Sequence, residues 1–219
     1  MIMGLAKHSA GRHVEALHHS RQAGLLYRHC DDTLGQAEAA VVLGKCQHGL
    51  WRYREASASL LYALTHARLS RDRTRQSHIL SILSQVLADM GHYPKEALEH
   101  AEEALALSRM DQDATDSCAS ALGAICVAYA GMGKHEQAAQ HAQDQLALCS
   151  RQQHVHGKER ALWNLGRAQL ALGRAEEGEH TFLVQRETAV LLGDIACEAS
   201  ALQGLRYNNF LKQMNIHQK

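Results

Sequence analysis

The sequence predicts an all-α fold, an α-solenoid in which antiparallel helix pairs stack into a right-handed superhelix. A short block of sequence recurs five times, and the small residues that end the blocks follow one another at steps of 40, 41, 41 and 40 residues. Such a constant step is typical of stacked structural repeats. The 219 residues contain one proline and are rich in helix formers such as Ala, Leu, Gln, Glu and Arg. No stretch alternates β-branched and polar residues over the length of a strand.

Each block is expected to contain the turn inside one helix pair. The five blocks are Gly11–Ala16, Trp51–Ala56, Gly91–Ala97, Gly133–Ala138 and Gly173–Gly178. Glycine opens four of them, and it adopts the left-handed conformation of a helix C-cap at little steric cost. Trp51 stands at this position in the second block, so we expect Gly49 to supply the turn there.

A glutamate with a small residue one or two positions after it opens each second helix. The carboxylate complements the positive end of the helix dipole, and the small residue lets two helix axes approach to about 8–10 Å. We therefore expect Ala56 and Ala138 to be buried where the helices of their pairs cross. Pro94 suits the first turn of its helix, where a missing N–H costs nothing.

Apolar residues with helical spacing predict the buried faces of the first helices. Leu122, Ile125, Cys126 and Tyr129 follow the i, i+3, i+4, i+7 pattern of an amphipathic helix. Aspartates and threonines precede the helices as N-caps in most connections between units. The connection at 152–157 lacks this chemistry.

We expect one domain over residues 1–219, because no Pro/Ser-rich linker or low-complexity run divides the chain. Its units are placed at about 1–32, 33–72, 73–113, 114–155 and 156–193, with a capping helix at 194–213. Within this last helix, Ile195 to Leu211 presents Leu202, Leu205 and Phe210 as its apolar side. We expect the first unit to be incomplete, because only Met1 to Ser9 precede Gly11. An apolar helix face left uncovered at this end would allow a homodimer.

Composition and charge argue against several classes of function. Lys plus Arg and Asp plus Glu both number 23, so the chain lacks the basic excess of a nucleic-acid-binding domain. No apolar run is long enough for a membrane span or a secretory signal, and we expect a cytoplasmic protein. Six cysteines without paired spacing predict neither a disulfide framework nor a zinc knuckle.

Several patterns resemble the tetratricopeptide repeat (TPR). They are Leu43-Gly44, Leu165-Gly166, the tyrosines Tyr53, Tyr93 and Tyr129, and the segments Ala104–Leu107 and Leu146–Leu148. The period exceeds the usual repeat of about 34 residues and is similar to the long-helix variety of kinesin light chains, Pins-type scaffolds and large bacterial regulators. The sequence of Leu165–Glu177 is most similar to the C-terminal TPR regions of actinobacterial transcriptional regulators of the antibiotic-regulatory-protein type.

The resemblance implies a concave groove lined by the first helices, and it assigns the groove-facing positions. The candidate binding residues are Lys45, His48, His78, Gln85, Arg160, Trp163, Asn164, Arg167 and Tyr207. The set around Trp163 is the densest, because Arg and Trp are over-represented among binding hot spots and an arginine pair can hold a carboxylate. The alternative is that Trp163 only fills the space between units.

These observations predict a protein or peptide partner in the groove, with no catalytic residues and no cofactor. The chain would be the interaction or sensing arm of a bacterial regulatory system. A second hypothesis is a sensor module that closes on a small molecule or a signal peptide. A third is an enzyme or metal-binding protein using some of the sixteen histidines, for example His100 between Glu96 and Glu103. No phosphate loop, serine elbow or Cys/His catalytic signature supports catalysis.

Overall fold

The described residues form antiparallel α-helices, as predicted. The computed structural model describes residues 13–110 and 115–216, and no strand occurs among them. The helices are α1 (His13–His29), α2 (Thr33–Gly49), α3 (Tyr53–Leu69), α4 (Arg73–Asp89), α5 (Pro94–Arg109), α6 (Thr115–Gly131), α7 (His135–Arg151), α8 (Val155–Ala171), α9 (Ala175–Leu192) and α10 (Ile195–Ile216).

The chain divides into two compact units, Met1–Ala124 and Ile125–Lys219. In the first unit α1, α2, α3 and α4 pack in sequence against their neighbours, and α5 packs against α4. In the second unit α7 packs on α8, α8 on α9, and α10 on both α9 and α8. The continuity of one solenoid over residues 1–219 stays a prediction, as do its handedness and unit boundaries. The half helix expected before Gly11 lies outside the described residues.

Three of the four predicted glycine turns are confirmed. Gly91, Gly133 and Gly173 have φ angles of 75°, 72° and 75°. These values lie in the left-handed region that side chains other than glycine rarely adopt. Gly11, which opens the first block, lies outside the described residues.

The expected role of Gly49 is wrong. Gly49 is the last residue of α2, and Trp51 itself adopts the left-handed conformation, with φ of 63°. A Cβ atom on Gly49 would lie 2.6 Å from the imidazole of His13, so close packing against α1 accounts for this glycine. The turn falls on residue 51 because the amide of Arg52 bonds to the carbonyl of Gln47 at 2.9 Å.

The small residues that end the blocks lie where predicted. Ala16, Ala56, Ala97 and Ala138 are fully buried, each in the first turn of a second helix that also carries a glutamate. Pro94 begins α5, as predicted. The fifth position, Gly178, is buried, and a Cβ atom there would come within 2.7 Å of Leu170.

Aspartates cap α2 and α4, which are first helices of pairs, and the last helix α10. Asp32 accepts a bond from the amide of Gly35 at 2.9 Å, and Asp72 accepts one from Arg75 at the same distance. Asp194 accepts one from Cys197 at 3.0 Å. His154, at the start of α8, makes no side-chain capping bond, in agreement with the sequence of that connection.

The last helix differs from its prediction in length and in its buried face. It runs from Ile195 to Ile216, and it buries Ala201, Gly204 and Asn208 while Phe210 stays 54% exposed. The predicted apolar side with Phe210 is therefore wrong. Gly204 decides the orientation, because a Cβ atom there would come within 2.6 Å of the Phe182 ring on α9.

Candidate functional site

A cavity of about 460 Å³ lies between α8, α9 and α10 in the second compact unit. Its lining residues are Trp163, Arg167, Leu170, Ala171, Phe182, Gln203, Gly204, Tyr207 and Leu211. The structure thus brings together three of the predicted residues, Trp163, Arg167 and Tyr207. A volume of this size falls within the range of ordinary ligand pockets.

Two glycines on facing helices shape this cavity. Phe182 is fully buried, and Cβ atoms on Gly166 of α8 and Gly204 of α10 would lie 2.7 Å and 2.6 Å from its ring. The indole of Trp163 packs on the same ring, with centroids 5.6 Å apart. Sequence reasoning missed Phe182 as part of the site, although Leu165-Gly166 already indicated a close helix crossing there.

Arg167 gives the cavity a positive charge at its entrance. Its guanidinium carbon lies 5.9 Å from the centre of the Trp163 ring, close enough for a cation–π interaction. The side chain is exposed, and no carboxylate pairs with it among the described residues. Together with the half-exposed phenol of Tyr207, this arrangement can bind an apolar side chain that lies next to an anionic group.

Arg160 lies in a different cavity on the other side of Trp163. This smaller cavity, of about 260 Å³, is lined by Glu159, Arg160, Trp163, Gln185, Cys197 and Ser200. Arg160 and Arg167 are seven residues apart on α8, a rise of about 10 Å along the helix. The predicted arginine pair is therefore divided between two cavities, and Arg167 is the member that lines the cavity of about 460 Å³.

The smaller cavity contains a thiol that stays protonated at neutral pH. Burial is the main reason that the pKa of Cys197 is raised to about 11. The hydrogen bond that Gln185 donates to the sulfur lowers this pKa by a smaller amount. The nearby carboxylates of Glu159 and Asp194 raise this pKa further. Because the thiolate is the reactive form, Cys197 is a poor nucleophile here.

Two predicted groove residues are interior instead. Asn164 is 7% exposed and Gln85 is 9% exposed. Asn164 follows Trp163 directly and therefore points about 100° away from it around the helix. The expected exposure of these two side chains is wrong, so neither offers a surface group to a partner.

In the first compact unit, three predicted residues form contacts across α2 and α4, two with each other and His48 with Asp89. Lys45 Nζ lies 3.0 Å from His78 Nε2, and His48 Nε2 lies 2.7 Å from Asp89 Oδ2. Because an ammonium group can only donate, Nε2 of His78 is the acceptor in this contact. The sequence placed Lys45, His48 and His78 on one surface, but the structure uses their polar atoms to join two helices.

Two general features of the described residues bear on other functions. Within residues 13–110 and 115–216, no group of three or more His, Cys, Asp or Glu side chains is arranged to hold a metal ion. None of the helices in that part of the chain is long and apolar enough to cross a membrane.

Comparison with solved structures identifies the fold as a TPR-like helical repeat. A Rap protein complexed with Competence and Sporulation Factor is 14% identical, with a TM-score of 0.79 over 96% of this chain and 64% of that one. TPR-like repeats of a putative kinesin light chain from Podosopora anserina are 14% identical, with a TM-score of 0.62 over 87% of this chain and 93% of that one. Aspartyl phosphate phosphatase F from Bacillus subtilis is 12% identical, with a TM-score of 0.54 over 86% of this chain and 55% of that one.

These similarities concern the fold. No protein-family model matches the sequence, and no curated protein matches it. The chain spans about two thirds of the Rap protein and just over half of phosphatase F. The predicted TPR-type architecture is confirmed.

Proposed function

We propose that the second compact unit binds a peptide, or a segment of a protein partner, in the cavity around Trp163. The observation that carries this proposal is the convergence of Trp163, Arg167 and Tyr207 on one cavity of about 460 Å³. Trp, Tyr and Arg are the residues most enriched among binding hot spots. A ligand would place an apolar side chain against the two aromatic rings and a carboxylate against Arg167.

The chemistry of the cavity favours binding over catalysis. Its polar groups are the guanidinium of Arg167, the amide of Gln203 and the phenol of Tyr207. These groups donate and accept hydrogen bonds, but they do not form a nucleophile with an adjacent base. We therefore propose a non-enzymatic role for this site.

The similar structures support a proposal about the kind of biological role. The Rap protein has a similar architecture and binds Competence and Sporulation Factor in its solved structure. The similarity covers nearly all of this chain. We propose that the chain is the interaction or sensing arm of a bacterial regulatory system, acting in the cytoplasm. A relationship to the TPR regions of actinobacterial transcriptional regulators is part of this proposal.

The proposal is tested by selecting peptides from a displayed random library against the purified chain. Binding of each selected peptide is then followed by the fluorescence of Trp163 in a Trp51→Phe background, which removes the other tryptophan. Arg167→Ala should weaken binding about tenfold or more, because a charge-assisted hydrogen bond is lost. Tyr207→Ala should weaken it similarly through the loss of an aromatic contact.

Arg206→Ala is the matched control. Arg206 is exposed on α10 beside Tyr207 but does not line the cavity, so its loss should leave affinity unchanged. Selected peptides that bind equally well to the Arg167→Ala and Tyr207→Ala variants would contradict the site. Failure to select any peptide would contradict the function itself.

A further inference from the structure

A cavity of about 530 Å³ lies in the first compact unit, between α1, α2 and α3. Its lining residues are Ser20, Arg21, Gly24, Leu25, Arg28, Gln36, Ala39, Ala40, Leu43, Ala58, Ser59 and Tyr62. None of the binding residues predicted from the sequence belongs to this set. Glycine, alanine and leucine supply much of the wall, which makes the interior mainly apolar.

Gly24 leaves space in this cavity, although no neighbouring residue packs so closely that a glycine is needed there. A Cβ atom on Gly24 would meet only Ala39, at an ordinary van der Waals distance of 3.7 Å. Gly44 and Gly166 differ, because Cβ atoms there would lie within 2.8 Å of neighbouring side chains. Gly24 lies inside α1, where glycine weakens a helix relative to alanine. What this glycine contributes is the empty volume beside Leu25.

The charges around the cavity are all positive. Arg21 and Arg28 line it from α1, and no aspartate or glutamate is among the lining residues. Neither guanidinium forms an ion pair with another described residue. The two arginines are seven residues apart, so they share one side of the helix at a separation of about 10 Å along its axis. Leu25 lies between them.

From this combination we infer that the cavity binds a small apolar carboxylate. Its hydrocarbon part packs against Gly24, Ala39 and Leu43, and its carboxylate pairs with Arg21 or Arg28. The volume suits a small molecule, and an unpaired guanidinium near an apolar surface binds carboxylates in preference to neutral groups. This site goes beyond the proposed function, because it lies in the other compact unit and takes a small molecule instead of a peptide or protein segment.

The test is isothermal titration calorimetry of the full chain with sodium decanoate, below its micelle concentration. Decanol and decyltrimethylammonium provide the same chain without charge and with the opposite charge. In an Arg167→Ala background, which removes the carboxylate partner of the Trp163 cavity, we expect decanoate to bind at one site, decanol to bind at least about tenfold more weakly, and the cation not to bind. The double variant Arg21→Gln/Arg28→Gln should weaken decanoate binding about tenfold or more.

Substitutions at Gly24 distinguish binding inside the cavity from attraction to the surface charge alone. Gly24→Leu should abolish binding because the leucine fills the cavity, whereas Gly24→Ala should fold normally and retain most of the affinity. Ala58 is an exposed residue of α3 that lines the other side of the cavity. Ala58→Leu should therefore fill the cavity from that side, and it replaces Gly24→Leu if that variant does not fold. Arg109→Gln, an exposed and unpaired arginine of α5, is the charge control.

Three results would overturn the inference. They are the absence of binding, equal affinity for decanoate and decanol, and decanoate binding that survives both cavity-filling substitutions. Binding of an acidic helical peptide without any response to decanoate would also overturn it and would indicate a protein-docking surface. Loss of peptide binding at Trp163 would leave all these outcomes unaffected, so the two sites are tested separately.

Discussion

Single residues decide the turns between helices, and among the described turns inside the helix pairs Trp51 is the one without glycine. It takes up the left-handed conformation that Gly91, Gly133 and Gly173 adopt at the equivalent positions. Asp31, Arg71 and Gln153 adopt the same left-handed conformation at turns between pairs. A side chain costs about 1–2 kcal/mol in this conformation. The indole is 79% exposed and contacts the ring of Tyr53 only at its edge, so little packing energy offsets the cost.

Replacing Trp51 with glycine should therefore stabilise the protein. We expect Trp51→Gly to raise the free energy of unfolding by about 1 kcal/mol, which corresponds to about 2–4 °C in melting temperature. Gly133→Ala is the inverse control and should lower stability by a similar amount. A Trp51→Gly variant that melts at or below the wild-type temperature would contradict the conformational explanation.

Residues at the candidate sites show which sequence signals were informative. Trp163 and Arg167 were predicted because their types are common in binding sites. Phe182, Gly24 and Arg21 carried no such signal, because a buried aromatic, a helical glycine and a surface arginine are ordinary features of helices. Their importance comes from neighbours that are distant in the sequence.

At the scale of helices, close crossings depend on small residues. Ala138 at the start of α7 is fully buried and belongs to the cluster that contains Cys126 and Leu165. Ala56 occupies the equivalent position in α3, in the cluster around Leu60 and Leu80. No space remains for a larger side chain at either crossing.

Overpacking these crossings should destabilise the protein. We expect Ala138→Leu and Ala56→Leu each to cost about 1–3 kcal/mol of unfolding free energy, measured by thermal or chemical denaturation. Ala147→Leu, an exposed position on the same helix as Ala138, should change stability little. If Ala147→Leu and Ala138→Leu had equal effects, the burial of Ala138 would not be the cause.

At the scale of the whole molecule, the property considered is the association of two copies of the chain. We predict a homodimer through an apolar surface at the N-terminal end. In the described part of that end, Val14 and Leu26 of α1 are 68% and 66% exposed. A formal net charge of zero at pH 7 removes long-range repulsion between copies.

Light scattering over a range of protein concentrations measures this association directly. We expect the average mass to rise from about 24 kDa towards twice that value as concentration increases, since the chain mass is 24.2 kDa. Leu26→Glu should shift the equilibrium towards the monomer, because it places a charge on the contact surface. A mass of one chain at every concentration would exclude the dimer.

The sequence by itself determined the helices, the turns at Gly91, Gly133 and Gly173, and the small residues at the starts of the second helices. These features depend on interactions within about ten residues, such as the glycine of a C-cap, the aspartate of an N-cap or the alanine at a helix start, so a repeated local pattern was sufficient. The tertiary structure alone decided which polar side chains pair internally, as Lys45 and His78 do, and which remain available, as Arg167 does. It also decided where cavities open, because a cavity is space that the side chains of three packed helices leave unfilled. No single segment contains that information.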